Sequence, residues 1–541
     1  MLDGCTGWPR EFADRYRARG HWRGRALGSL LRGRAAAAPD DIAVVAGARR
    51  LTYRELDARA DGLAAGLYGL GIASGDRVLV HLPNTAEFVE LAFALFRLGA
   101  IPVMALPAHR EAEIVHLLNL SQAVAYVVPD THLGFDYRPL ARAVGARAPR
   151  LRHVVVVGDA AEFTPYASLP APPRALPARD PGEVALLLCS GGTTGAPKLI
   201  PRTHDDYVYN AVASAEVAGL TRTTRYLVAL PAAHNFPLAC PGLLGTLHAG
   251  GTAVLCPDPS PDTAFPLIAT ERVTHTALVP SLVLLWLEAA GWSGDDLSSL
   301  RLLQVGGSRL KDETARRVRA ELGCALQQVF GMGEGLLCLT RLDDPDELVW
   351  GSQGRPLSAD DEIRVVGPDG LQVPAGGTGE LLVRGPYTLR GYYRAPGHNR
   401  AAFTADGFFR SGDLVRRLSS GHLVVEGRVK EVINRAGEKV PVEEVENHLV
   451  AHPAVQDAAL VGLPDDRLGE RVCACVVARG APPTRSDLAA HLTAHGLAPY
   501  KLPDEVRVLA ALPRTALGKT DRAELARLAS APAPPPPGAG G

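Results

Sequence analysis

Lysine is scarce in this chain of 541 residues: six, against 51 arginines. The six are Lys198, Lys311, Lys430, Lys439, Lys501 and Lys519. Arginine has replaced lysine almost everywhere a generic cation serves, so the survivors are candidates for places that need a compact point charge on a flexible stem. Net charge is equally scarce, at −1 from 57 basic and 58 acidic residues. No global positive field is present to hold nucleic acid or an anionic membrane, which turns attention to small molecules. The eight cysteines are scattered and include no C-x-x-C pair, which excludes a secreted disulfide scaffold. They are expected to act as small buried hydrophobes in a reduced cytoplasm. The longest greasy stretch, Thr276 to Trp292, is broken by Pro280 and carries Glu288, so it cannot span a bilayer. The Arg-rich N-terminus lacks an apolar core, so no signal peptide is expected.

Short apolar runs alternate with helical-period segments through the first two thirds of the chain. RVLVHL (77–82), IPVMAL (101–106), VAYVVP (124–129), HVVVVG (153–158), VALLLCS (184–190), YLVALP (226–231), TAVLCP (252–257), HTALVP (275–280) and LRLLQVGG (300–307) read as strands. AEFVELAFALFRLG (86–99) reads as an amphipathic helix. Strands alternating with helices imply parallel sheets covered on both faces, and this many strands imply two sheets. From about residue 350 short strands (IRVV, GELLVRG, HLVVEGR) separated by Gly-rich turns form a small β unit. From Lys430 the texture becomes compact α+β. The expected fold class is therefore α/β. A large N-terminal domain (1–429) holds two parallel-rich sheets plus a β-rich subdomain (about 350–429). A small α+β domain (430–530) and a disordered Pro/Gly tail (531–541) follow. Residues 165–181 read as a Pro-rich loop.

After the strand VALLLC comes Ser190-Gly191-Gly192-Thr193-Thr194-Gly195-Ala196-Pro197-Lys198. Glycines let backbone amides approach phosphate oxygens, hydroxyls add donors, and the lysine adds charge. It is not a Walker A loop, because Pro197 precedes the lysine. The loop resembles the phosphate-binding motif of the adenylate-forming superfamily of acyl-CoA synthetases, luciferases and nonribosomal peptide synthetase adenylation domains. Further segments match in order: Phe330-Gly331-Met332-Gly333-Glu334, Ser411-Gly412-Asp413, Gly427-Arg428-Val429-Lys430, Gly437-Glu438-Lys439-Val440, and Leu512 to Lys519. Four of the six lysines fall inside these motifs.

The resemblance implies that a carboxylate and MgATP give an acyl-AMP and pyrophosphate, and that the acyl group then passes to a thiol. Residues 190–198, notably Ser190, Gly191, Gly192, Thr193, Thr194, Gly195 and Lys198, are then expected to hold the β- and γ-phosphates. Gly307 and Gly331 are expected at the nucleotide. Glu334 is expected to help hold Mg2+, a hard cation that prefers carboxylate oxygen. Asp413 is expected to take the ribose hydroxyls, with Arg428 on the ribose or phosphate side. Lys519 would bridge the attacking carboxylate and the α-phosphate, offsetting charge as two anions approach. The family's small C-terminal domain rotates between half-reactions, bringing in Lys519 first and the Lys439 segment second, with Lys430 as the hinge.

The segment His234-Asn235-Phe236-Pro237-Leu238-Ala239-Cys240-Pro241 resembles that of stand-alone aryl-acid ligases of siderophore biosynthesis. Amino-acid-activating relatives place an Asp where Asn235 stands, to pair with an ammonium. A neutral amide suits an acid without an α-amine and can hydrogen-bond a carboxylate or ortho-hydroxyl. The resemblance places His234 near the phosphates and the thiol entry path. Trp8-Pro9 with RYRARGHW and the Gly306-Gly307 pair also match this branch. The expected acid pocket is Asn235, Phe236, Cys240, Gly306 and Leu337. Catecholate-activating relatives have Ser for Cys240 and Val for Leu337. The changes remove a hydroxyl and add a methylene, which disfavours a 3-hydroxyl and favours salicylate over 2,3-dihydroxybenzoate. A phosphopantetheinylated aryl carrier protein acting in trans is the expected acceptor, since no carrier domain follows residue 530. An aryl-CoA ligase using free coenzyme A and a silent aryl-acid-binding protein are the alternatives. His448/His452 and His491/His495 have i,i+4 spacing and read as solvated helix faces, zinc needing more ligands than the sequence offers.

Overall fold

In the computed structural model, residues 2–190, 197–310, 312–429, 433–440, 442–513 and 520–531 are described. They form two compact units, one up to Val429 and a smaller one beyond it. The first holds a nine-stranded and a seven-stranded sheet together with an antiparallel sheet of four.

In the nine-stranded sheet, Ala325–Met332, Leu302–Val305, His275–Leu278, Arg225–Val228, Thr252–Leu255 and Ile42–Ala46 run parallel in that order. In the seven-stranded sheet, Val184–Cys189 is parallel to Ile101–Met104, and Leu199–Thr203 closes the edge antiparallel. Each apolar run read as a strand from the sequence is one, because burial on both faces demands continuous apolar side chains. The hairpin Ile42–Ala46 and Arg49–Thr52 was not anticipated. Its strand is completed by Thr252–Leu255, a pairing too distant for local pattern to reveal. The Pro-rich segment 165–181 opens on the short strand Thr164–Pro165 and one 3-10 turn, Tyr166–Ser168.

The helix Ala86–Leu98 corrects an expectation. It is not amphipathic: every residue except Glu87 is buried. Glu90 and Arg97 are tolerated inside because Arg49 pairs with Glu90 at 2.7 Å and Asp61 pairs with Arg97 at 2.9 Å. A buried charge is admissible when paired and hydrogen-bonded. At the N-terminus, Trp8 packs edge-on against Tyr16 and Trp22. The Trp22 indole N–H donates to the Pro386 carbonyl, which ties this segment to the four-stranded sheet region. All eight cysteines are free and six are buried. No helix of the described residues is long and apolar enough to cross a membrane.

The second unit is a sheet of Glu438–Val440, Ile433–Arg435, Gly469–Ala478, Val455–Asp465 and Glu505–Val508, with helices Val442–Val450, Arg485–Ala494 and Arg522–Ser530. Lys501 is buried here on Glu444, at 2.8 Å, which gives a fifth lysine a structural task.

The four histidines keep solvent exposure, as the sequence reading expects, but they form one cluster rather than two separate pairs. The helices Val442–Val450 and Arg485–Ala494 bring them together, with ring centroids of His491 and His495 at 4.2 Å, His452 and His491 at 4.9 Å, and His448 and His495 at 5.6 Å. His491 Nε2 donates to the His448 carbonyl at 2.9 Å. Desolvation holds the His491 pKa below its ordinary value of 6.5, with repulsion from His495, His452 and His448 adding to it. A depressed histidine binds its proton less readily folded than unfolded, so its contribution is complete above 6.5 and is lost as pH falls below that value. Glu438, pushed up to about 7 by burial against the pull of Lys501, runs the opposite way. The informative comparison is therefore between variants. The fall in melting temperature on going from about pH 7.5 to about pH 5.5 should be smaller in His491→Gln than in the wild type. An unchanged pH dependence would exclude His491 as a source of acid lability.

Candidate active site

Parallel strands deliver their carboxyl ends to one edge of a sheet, and ligands of open α/β sheets bind there. In the nine-stranded sheet that edge carries 229–236 after Arg225–Val228, Gly306-Gly307 after Leu302–Val305, and the Glu334 turn after Ala325–Met332. In the seven-stranded sheet the strand Val184–Cys189 leads into Ser190.

The base of the glycine loop is closed by two hydrogen bonds. Ser190 N–H donates to the Lys198 carbonyl at 2.8 Å, and Lys198 N–H donates to Ser190 Oγ at 3.3 Å. Gly191 to Ala196, including Gly192, Thr193, Thr194 and Gly195, lie outside the described residues. Lys198 Nζ stands 5.6 Å from the Tyr392 ring centroid, and the Tyr392 hydroxyl donates to Glu334 Oε1 at 2.7 Å. The loop lysine and the proposed metal ligand thus meet through one tyrosine.

Glu334 lies in the turn between Ala325–Met332 and Gly335–Leu339. Gly335 has φ +126°, and a Cβ there would lie 2.4 Å from Thr388 Cα. Only glycine lets this turn press against 387–389, where Leu389 N–H donates to the Glu334 carbonyl at 2.7 Å. Arg202, fully buried, donates from Nη1 to the Gly333 carbonyl at 3.0 Å and from Nε to Asp206 at 2.8 Å. Among the described residues no group of three or more His, Cys, Asp or Glu is arranged to hold a metal ion. A single carboxylate is the donor set magnesium uses when nucleotide phosphates and water complete its shell, and Glu334 fits that part.

Asp413 is buried in the strand Phe409–Arg417, its N–H donating to Ser411 Oγ at 3.0 Å. The antiparallel register sets it opposite Arg428 in Leu423–Arg428. The Arg428 side chain, Lys430 and Lys519 lie outside the described residues. Lys439 lies in Glu438–Val440, paired with Asn434 across a hairpin whose turn residues, Ala436 and Gly437, have φ +53° and +86°.

Of the residues expected to form the acid pocket, Asn235 and Phe236 open the short helix Asn235–Ala239. His234 caps it, Nδ1 accepting from Phe236 N–H at 3.3 Å, and is itself exposed. Asn235 and Phe236 are buried. A Cβ on Gly306 would lie 2.9 Å from the Val329 carbonyl oxygen and 3.0 Å from the Phe236 ring, so glycine is needed for Phe236 to lie against the sheet edge. Cys240 is buried, and desolvation pushes its thiol up to about 12, so it stays protonated at neutral pH. Its S–H points to the Asn235 carbonyl at 3.4 Å, while Sγ accepts from Asn235 Nδ2 at 3.4 Å and from Asn210 Nδ2 at 3.7 Å. Leu337 is buried opposite Gly331, where a Cβ would meet its Cδ2 at 2.4 Å. Its backbone N–H donates to the Tyr387 hydroxyl at 3.0 Å, which donates in turn to Asp361 at 2.6 Å. Burial lifts the Asp361 carboxyl to about 7.

Sequence reasoning missed Tyr207, Asn210, Arg202 and Tyr392. The two tyrosines and Asn210 look like ordinary core or surface residues in their local pattern. Tyr392 is 58 residues from the carboxylate it binds, and no spacing rule joins them.

The chain matches the AMP-binding enzyme family over residues 31–393 and the AMP-binding enzyme C-terminal domain over 444–519. It is 55% identical over 525 residues to a 2,3-dihydroxybenzoate-AMP ligase of Bacillus subtilis, covering 97% of each chain. It is 53% identical over 539 residues to a salicyl-AMP ligase / salicyl-S-ArCP synthetase of Mycobacterium tuberculosis, covering 97% of this chain and 94% of that one. The apo structure of Mycobacterium smegmatis MbtA superposes with a TM-score of 0.76 at 54% identity, covering 97% of this chain and 98% of that one. With matches in both of its units, this chain belongs to the AMP-binding enzyme family.

Proposed function

We propose that the protein is an aryl-acid AMP ligase that converts salicylate and MgATP to salicyl-AMP and pyrophosphate. It then passes the salicyl group to the phosphopantetheine thiol of an aryl carrier protein in trans, in siderophore or related nonribosomal peptide biosynthesis. In the first step a carboxylate oxygen bonds to the α-phosphorus and the bond to the pyrophosphate oxygen breaks. In the second the thiol sulfur bonds to the acyl carbon and AMP leaves. Ser190, Lys198 and the loop between them hold the β- and γ-phosphates. Glu334 would hold Mg2+, which supplies charge neutralisation at the phosphates. Asp413 takes the ribose, Lys519 serves the first step and Lys439 the second. A cytoplasmic site of action accords with eight free thiols.

The observation that carries the aryl-acid reading is the neutral Asn235 amide, buried where an ammonium-binding relative needs a carboxylate. The names of the similar enzymes support it. Salicylate is favoured because the wall beside Asn235 offers a thiol whose hydrogen is already engaged by the Asn235 carbonyl. A 3-hydroxyl there would lose water for a poor partner. A second reading, 2,3-dihydroxybenzoate, has one observation of its own: Asn210 Oδ1, next to that thiol, is buried with no hydrogen-bond partner among the described residues. The test is substrate-dependent ATP–pyrophosphate exchange over a panel of aryl acids, followed by thioester yield on coenzyme A against yield on a carrier protein. No exchange with any aryl acid would overturn the reading. Preference for the catechol acid would move the assignment to the second.

A further inference from the structure

Tyr207 belongs to the helix His204–Val217, whose start is firmly held. Thr203 and Asp206 cap each other, with Asp206 N–H on Thr203 Oγ1 at 3.2 Å and Thr203 N–H on Asp206 Oδ2 at 2.8 Å. Arg202 grips the same carboxylate. The Tyr207 ring is fully buried, and its hydroxyl lies 2.9 Å from Asn235 Oδ1. Burial pushes this phenol far above its ordinary value, so it keeps its single proton and donates it.

The far side of the Asn235 amide is equally constrained. The Cys240 hydrogen is directed at the Asn235 main-chain carbonyl, so the sulfur lone pairs face Asn235 Nδ2 and Asn210 Nδ2. A reversed amide would set Oδ1 against those lone pairs and forfeit the Tyr207 donation. Oxygen toward Tyr207 and nitrogen toward Cys240 is the arrangement that suits both neighbours of the amide. The amide nitrogen carries two hydrogens, and Cys240 takes one.

We propose that Tyr207 is a positioning residue that selects the acid's ortho substituent. By holding the Asn235 oxygen, it leaves an N–H to face the acid, so an ortho oxygen is accepted and an ortho amine is rejected. The inference rests on the aryl-acid reading above. An ortho hydroxyl or phenolate oxygen accepts a hydrogen bond. An aniline nitrogen, its lone pair drawn into the ring, offers chiefly N–H, which would meet N–H.

The experiment is pyrophosphate exchange with salicylate and with 2-aminobenzoate, on the wild type, Tyr207→Phe, Asn235→Ala and the double variant. The wild type should favour salicylate in kcat/KM by about tenfold or more, since a site built to bond one group rejects the analogue lacking it. Phenylalanine keeps the ring and removes the hydroxyl, freeing the amide to turn. The ratio should then fall by about tenfold toward parity, through opposite changes in the two KM values with kcat little altered. In the Asn235→Ala background, Tyr207→Phe should leave the ratio unmoved. A packing role alone would depress both acids together, in both backgrounds. Equal use of the two acids by the wild type overturns the inference without any variant. So does a Tyr207→Phe ratio within about twofold of wild type. If the wild type exchanges with neither acid, the salicylate reading falls and this inference with it, while exchange with other aryl acids still decides the aryl-acid reading. If it exchanges with salicylate and only the ratio fails to move, Tyr207 alone loses its role.

Discussion

Lys519→Ala should form acyl-adenylate about 10²–10³ times more slowly, the usual loss when one preorganised charge-stabilising donor is removed. Two anions must approach, the acid carboxylate and the α-phosphate, and a compact ammonium between them offsets repulsion that grows toward the transition state. Transfer of a supplied salicyl-AMP to the carrier thiol has no such approach and should stay within about threefold of wild type. Lys519→Arg should restore little. Arginine is the common cation of this chain, 51 residues against six lysines, and a planar fork does not replace a point charge on a flexible stem. The checks are pyrophosphate exchange for the first half-reaction and single-turnover thioester formation for the second. Equal loss in both would give Lys519 a structural part instead.

Cys240→Ser combined with Leu337→Val should move preference from salicylate toward 2,3-dihydroxybenzoate by roughly ten- to a few hundredfold in the ratio of kcat/KM. The serine hydroxyl is a stronger donor and acceptor than the thiol, which is held protonated and turned to the Asn235 carbonyl. The valine withdraws a methylene from a side chain that is fully buried against the Gly331 backbone. The valine change should cost about 0.5–1.5 kcal/mol of stability, so melting must be followed beside activity. An unchanged ratio in a folded double variant would show that these two positions do not read the 3-position, and salicylate would lose its main support.

The strands of both large sheets were legible because a parallel strand buried on both faces cannot avoid an unbroken apolar run. The helix Ala86–Leu98 was legible as a helix and misjudged in its surroundings. Glu90 and Arg97 suggest an exposed face, and only their partners Arg49, Asp57 and Asp61, brought from elsewhere in the chain, let them be buried. The histidines were legible as solvated positions, but their mutual contact was not. Their i,i+4 spacing describes one segment at a time, whereas His452, in the turn after Val442–Val450, meets His491 of the helix Arg485–Ala494. The Glu334 turn was legible as a motif. That Gly335 must be glycine follows from the approach of Thr388, which no local pattern contains.

What the sequence by itself determined was the family: an ordered set of segments resembling its phosphate, ribose and acid motifs, with lysines retained where arginine prevails. Those signals are local, a few residues whose types and order carry the meaning. What only the tertiary structure decided was how that chemistry is aimed. Tyr392 joins Lys198 to Glu334, and Tyr207 and Cys240 set the two ends of the Asn235 amide. The physical reason is that residue type sets what a group can donate or accept, while packing sets which partner takes each hydrogen and which hydrogen is left for the substrate.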